Sequence, residues 1–325
     1  MAVRSMSDIP SPNPARPQLP IPFGNAVCYS GYRQGQNPRT GDYPSPAEVE
    51  EDLLILAKNW DYLRLYDASR HAEIVLDAIE RLGLEFKVML GLDFAAEMSN
   101  PDCPWGADFD DATLSANRRG NDAQVERAVL LANRYKDIVF SVAAGNEAAV
   151  DWTDHMVPVD RLIAQVRKLK SAIDQPVTSC DNYVPWLDKL EPLAAELDFI
   201  SVHTYPVWEY RSIAEALDYT KQNYSAVAGR YPAQPVIITE AGWTTASNGR
   251  GIEPANASEE LQAHYYQELL AWTTSEQILT FVFEAFDEPW KGSPDPLEPE
   301  KHWGLFKLDR TPKLAMRQIY SDLLP

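Results

Sequence analysis

Cysteine, basic charge and long apolar runs are all scarce in this sequence, and each shortage removes a class of protein. Only three of the 325 residues are cysteine. Cys28, Cys103 and Cys180 are odd in number, widely spaced and without a CxxC pair, so neither a disulfide framework nor a thiolate metal or redox site is expected. Small buried packing roles suit them better, and such usage leans to a reducing compartment. Lys and Arg number 29 against 48 Asp and Glu, a formal net charge of −19. A phosphate backbone or an anionic membrane surface needs a basic footprint, which is missing, so neither nucleic acid nor membrane is an expected partner. No apolar stretch approaches the ~20 residues of a membrane span. The five histidines show neither HExxH nor another tight ligand spacing, so no metal is expected. No GxGxxG or Walker loop follows the first strand-like run, and no cofactor is implied.

What the chain does contain is alternation. Residues 1–22 hold six prolines and no apolar core of a signal peptide, and are expected to form an extended, disordered lead-in. As it stands the chain reads as cytoplasmic, or as periplasmic or secreted if a signal has been removed from it. From residue 23 onward, apolar β-branched runs fall at 23–29, 62–67, 85–92, 138–143, 176–180, 198–204, 235–240 and 280–286. Most are continuous rather than alternating, as for strands buried on both faces of a parallel sheet. Helical patterns separate them. The first begins at Ser45, with Pro46 in first position and Glu48 completing a capping box, and puts Val49, Leu53, Leu56 and Trp60 on one face. Others cover 69–82 (closed by Gly83), 120–136, 159–173, 186–196, 212–228, 258–274 and 312–323. The acidic run at Glu48, Glu50, Glu51 and Asp52 fits a solvated helix start. Eight strands with eight helices predict an α/β fold, a (β/α)8 TIM barrel, as one domain over 23–325, with an open doubly wound sheet as the alternative. A monomer is expected.

In such a barrel, chemistry collects at the C-terminal ends of the strands. Those ends supply Tyr29, then Arg64, Tyr66 and Asp67, then Asp93, Asn146 and Glu147, His203 and Tyr205, Glu240 and Trp243, and finally Glu284, Asp287, Glu288 and Trp290. A carboxylate such as Glu240, closing the apolar run VIIT, is expensive to bury unless partners or chemistry require it. Two glutamates on opposite strands, ringed by aromatic side chains, suit glycoside hydrolysis. One carboxyl protonates the leaving oxygen while the other serves as nucleophile or base. Taken singly, a strand-end glutamate is more often a salt-bridge partner, and His203 a core histidine.

With these residues in view, the chain resembles glycoside hydrolase family 17, the β-1,3-glucanase and β-1,3-glucanosyltransferase family. The segments YLRLYDAS at 62–69, VAAGNE at 142–147, VIITEAGW at 236–243, and FEAFDEPWK at 283–291 with HWGLFKLD at 302–309 carry the likeness. The resemblance implies a retaining double displacement on laminarin-type β-1,3-glucan, with Glu147 as acid/base and Glu240 as nucleophile. It implies that Asn146 bonds the sugar 2-hydroxyl and that Tyr205 flanks the nucleophile. Glu288 and Lys291 would belong to a polar cluster supporting the acid/base. Tyr29, Arg64, Tyr66, Asp67, His203, Trp243 and Trp290 join these as expected substrate-binding residues. The family signature continues Trp-Pro after the nucleophile, whereas here Thr244 follows Trp243, which points to a divergent, bacterial-type branch. Alternatives on the same scaffold are a glucanosyltransferase, a non-catalytic glucan-binding barrel, and a retaining glycosidase of other linkage specificity. Whether cleavage is exo or endo depends on the 94–118 and 244–257 loops.

Overall fold

Eight strands pair in sequence order, all parallel, and the last closes on the first. They are β1 (Ala26–Cys28), β2 (Tyr62–Leu65), β3 (Lys87–Leu92), β4 (Val139–Asn146), β5 (Val177–Asn182), β6 (Ile200–His203), β7 (Val236–Ala241) and β8 (Thr280–Val282). This is a computed structural model describing residues 17–324. Every expected strand is present. Nearly every strand position is buried, because helices cover the outer face while side chains fill the barrel.

The helices follow local signals. In α1 (Pro46–Leu56) the Ser45 side chain accepts from the Glu48 amide while Glu48 accepts from the Ser45 amide at 2.7 Å. Val49, Leu53 and Leu56 are buried beneath it, and Trp60, beyond its end, packs on Phe306 and Tyr320. Then come α2 (Arg70–Leu82), ended by left-handed Gly83, α3 (Asp111–Arg134) and α4 (Val159–Lys170). After these, α5 (Tyr183–Asp188) and α6 (Glu191–Ala194) precede α7 (Ile213–Arg230) and α8 (Glu259–Glu276).

Several boundaries differ from expectation. Helix α3 starts nine residues before 120, at an Asp110 cap. Its polar first turns hide it from periodicity because Asn117, Arg118 and Asn121 bond the 95–97 segment rather than an apolar face. The single helix expected over 186–196 is two. In place of the helix expected over 312–323, turns with i+3 bonds run from Lys313 to Ile319, which lets Met316 and Tyr320 both bury. Beyond Val282, where β8 ends, the amides of Phe283 and Ala285 still donate to Ala241 and Cys28 of the flanking strands, while Leu305 and Phe306 of the returning chain donate to the Glu284 and Ala285 carbonyls.

Two further corrections concern polarity. Of the lead-in expected to be disordered, residues 1–16 lie outside those described, but Leu19 and Ile21 pack against the core and Tyr62 donates to the Pro22 carbonyl at 2.7 Å. Asp52 is not solvated. It is fully buried, with Arg310 Nε and Nη2 each 2.7 Å from its two oxygens and Arg33 at 3.0 Å.

Candidate active site

The strand ends open into one cleft of about 790 Å³. Glu240, the penultimate residue of β7, is 5% exposed and accepts hydrogen bonds on both oxygens. Oε1 takes Arg64 Nη1 and the Tyr66 hydroxyl at 3.0 Å; Oε2 takes the Tyr205 hydroxyl at 2.5 Å, with His203 Nδ1 at 3.4 Å. Burial alone would push its carboxyl up, but the charges of His203 and Arg64 and the Tyr205 bond outweigh it and bring it down to about 2. Burial, then the Glu240 charge, push the Tyr205 phenol far above its usual range, so it remains a donor. The cost of burying an ionised carboxylate is met by these four partners, and Glu240 stays charged.

Glu147 follows β4 at a break in register between Ala143 and Asn146. Gly145 has φ +97°, and Glu147 itself has φ +47°. A left-handed conformation costs an ordinary residue about 1–2 kcal/mol, and it aims this side chain across the barrel mouth. A Cβ on Gly145 would also meet Leu162 at 3.3 Å. Glu147 Oε1 lies 3.0 Å from His203 Nδ1. Oxygens of Glu147 and Glu240 and a His203 ring nitrogen all fall within 4.8 Å of one another. The trio has the size of a metal site, but Glu240 is already saturated by a guanidinium and two phenols, a donor set that repels a cation. Burial would discharge His203, but Glu240 and then the bonds to Cys180 and Glu147 hold it up to about 10.

Other expected residues take distinct places. Asn146 lines the cleft. Its Oδ1 accepts from Arg64 Nη2 at 2.5 Å, leaving the amide nitrogen free to donate to a sugar hydroxyl. Tyr66, Asp67, Tyr205, Trp290 and Lys291 also line it. Tyr29 contributes its ring, but its hydroxyl is turned to Asp52 at 3.2 Å. Four expected contacts lie behind the wall instead. Arg64, 1% exposed, and His203, 0% exposed, support the glutamates from below. Trp243 is 1% exposed and donates to the Asn256 carbonyl at 2.7 Å, because the close approach of Gly242 to the Phe283 carbonyl turns the chain away from the cleft. Glu288 is fully buried, 2.7 Å from Lys291 Nζ, which also bonds Glu284 at 2.6 Å. Burial, reinforced by Glu288 and opposed by Lys291, pushes the Glu284 carboxyl up. Thr244, the departure from the Trp-Pro signature, is buried and donates to the Pro299 carbonyl at 2.9 Å.

Sequence reasoning missed most of the cleft's aromatic lining. Trp105, Trp152 and Tyr210 are 60%, 36% and 70% exposed, and all three face the cleft; Trp208 and Trp303 form its wall with ring centroids 6.0 Å apart. Most of these come from loops, where no periodicity marks them. Water-facing indole and phenol rings gathered at one concavity are the only signal, and it appears on folding.

The family model for the BtgE/BtgC glycoside hydrolase domain matches residues 26–304. The chain belongs to that family. This agrees with the family 17 resemblance, and the glycoside hydrolase matches one relative over most of its length and several others over less than half of theirs. A glucan 1,3-beta-glucosidase of Arthroderma benhamiae is 26% identical over 302 residues, spanning 87% of this chain and 88% of its own. Against the btgC protein of Aspergillus niger, also 26% identical, the glycoside hydrolase spans only 40% of the relative's length. Among solved structures, an endo-laminarinase from Formosa Hel1_33_131 superposes with a TM-score of 0.78 at 27% identity, covering 92% of this chain and 87% of that one.

Proposed function

We propose that this glycoside hydrolase cleaves β-1,3-glucan by retaining double displacement, with Glu147 as acid/base and Glu240 as nucleophile. The observation that carries the reading is the glutamate pair, whose facing oxygens lie within 4.8 Å. Retaining enzymes hold their carboxyls about 5–5.5 Å apart, and inverting ones leave about 6.5–9.5 Å for a water. The names of the Arthroderma and Formosa relatives support the substrate class. In the first step Glu240 attacks the anomeric carbon, the bond to the leaving oxygen breaks, and the Glu147 proton passes to that oxygen. In the second, Glu147 removes a proton from water, which attacks the anomeric carbon and releases Glu240. Arg64, Tyr66 and Tyr205 stabilise Glu240 as a leaving carboxylate, and Asn146 is placed to bond the sugar beside it.

Glu147→Gln and Glu240→Gln each abolish turnover on laminarin; both still melt cooperatively, Glu240→Gln at a lower temperature because its ion pair with Arg64 is lost. A 2-deoxy-2-fluoro glucosyl fluoride adds one sugar mass to Glu240. Inverted anomeric configuration in the first product, read by proton NMR, would falsify the retaining assignment. A second reading, transfer to a sugar acceptor, is favoured by the exposed Trp105, Trp152 and Tyr210, whose apolar faces suit a second sugar chain. Products longer than the starting oligosaccharide, read by mass at high substrate concentration, establish transfer. Only shorter ones establish hydrolysis.

A further inference from the structure

The backbone of the proposed acid/base is set by the peptide unit between Asn146 and Glu147, and both ends of that unit are bonded. Its N–H donates to the Cys180 carbonyl on β5 at 2.9 Å. Its carbonyl accepts from His155 Nε2 at 2.9 Å. Orientation of this plane sets φ of Glu147, the +47° that turns the carboxyl over the cleft. His155, in the β4–α4 loop, lies eight residues beyond the acid/base and was not singled out by its sequence.

Its second ring nitrogen also faces an acceptor. Nδ1 lies 2.8 Å from Asp154 Oδ1 and 3.1 Å from Thr153 Oγ1. With a carbonyl on one nitrogen and a carboxylate on the other, both bonds are made together when the ring is an imidazolium. Burial disfavours that charge, but Asp154 and Asp93 outweigh it and hold the ring up to about 9. The Asn146 carbonyl therefore receives a charge-assisted bond, stronger than a neutral one.

We infer that His155 is a positioning residue for Glu147, clamping the Asn146–Glu147 peptide in the setting from which the acid/base reaches the glycosidic oxygen. The inference rests on the role proposed for Glu147 above. It concerns one step, proton delivery to the leaving group, and so predicts a dependence on leaving-group quality that general destabilisation does not produce.

The test compares laminaritetraose with the 2,4-dinitrophenyl glycoside of laminaribiose, whose departing phenolate needs no proton. The quantity is kcat/KM, which reports the first displacement. For His155→Phe it falls about 10- to 100-fold on laminaritetraose and changes by less than about threefold on the aryl glycoside. His155→Gln, which keeps an N–H donor, recovers part of the loss on laminaritetraose. Equal losses on both substrates, or no loss on either, overturn the inference. If His155→Phe does not melt cooperatively, His155→Ala is judged by the same criteria. Failure of the unaltered protein to turn over either substrate overturns the proposed function instead, so the two outcomes are distinguishable.

Discussion

Arg64 shows how one side chain serves two groups, joining Glu240, the proposed nucleophile, to the asparagine beside Glu147. Removing one member of a buried ion pair costs about 3–5 kcal/mol, because the other charge is left unpaired. Arg64→Met should therefore lower the unfolding free energy by that amount and cut kcat at least a hundredfold, measured by denaturant titration and steady-state kinetics. The pH dependence of stability has a defined sign. Glu240, held at about 2 against an ordinary 4.5, contributes fully above pH 4.5, and its contribution fades as pH falls towards 2. His203, held at about 10 against 6.5, contributes fully below pH 6.5, and its contribution fades as pH rises towards 10. The pair is most stabilising between pH 4.5 and 6.5. In Glu240→Gln the acid-side fall in melting temperature should flatten, and the alkaline fall, which still begins near pH 6.5, should be smaller and end at lower pH. Glu240 was legible in the sequence because an apolar run ending in a carboxylate is itself anomalous, and Glu147 because the GNE segment follows the end of a strand-like run. Asp52 was misread because its partner Arg310 lies 258 residues away, beyond any local pattern.

Strands and their exits carry the next level of organisation. All eight strands were legible because burial on two faces writes continuous apolar runs. What the runs could not reveal was how β4 ends. Its last residues break register and turn left-handed through Gly145, and the placement of Glu147 depends on that turn. Gly145→Ala combines φ +97° with a Cβ 3.3 Å from Leu162. It should cost about 1–3 kcal/mol and lower activity further than stability, which melting and kinetics on one preparation would separate. Gly242→Ala is more severe, since its Cβ would stand 2.1 Å from the Phe283 carbonyl; no soluble folded protein is expected on expression. The start of α3 and the tail after β8 escaped the sequence for a common reason. Their residues answer to distant hydrogen bonds rather than to a 3.6-residue stripe.

The barrel as a whole is fastened where its two ends meet. The chain after β8 returns to α1: Arg310 grips Asp52, the Tyr320 hydroxyl donates to the Ile55 carbonyl at 2.9 Å, and Lys58 meets Asp322. Arg310→Met should lower stability by about 3–5 kcal/mol, and adding Asp52→Leu should restore part of that, because a fully apolar pair leaves no stranded charge. Denaturant midpoints of the three proteins test it. The overall negative charge, by contrast, has no counterpart in the proposed substrate, which is neutral.

The uneven exposure of tryptophan makes the molecule its own optical reporter. Trp60, Trp186, Trp243 and Trp303 are buried, while Trp105 and Trp152 stand in water at the cleft. An oligosaccharide settling on those two rings would shift their emission to the blue against the steady signal of Trp60, Trp186 and Trp243, which lie away from the cleft, so the Glu147→Gln protein could report glucan affinity by fluorescence without label or turnover.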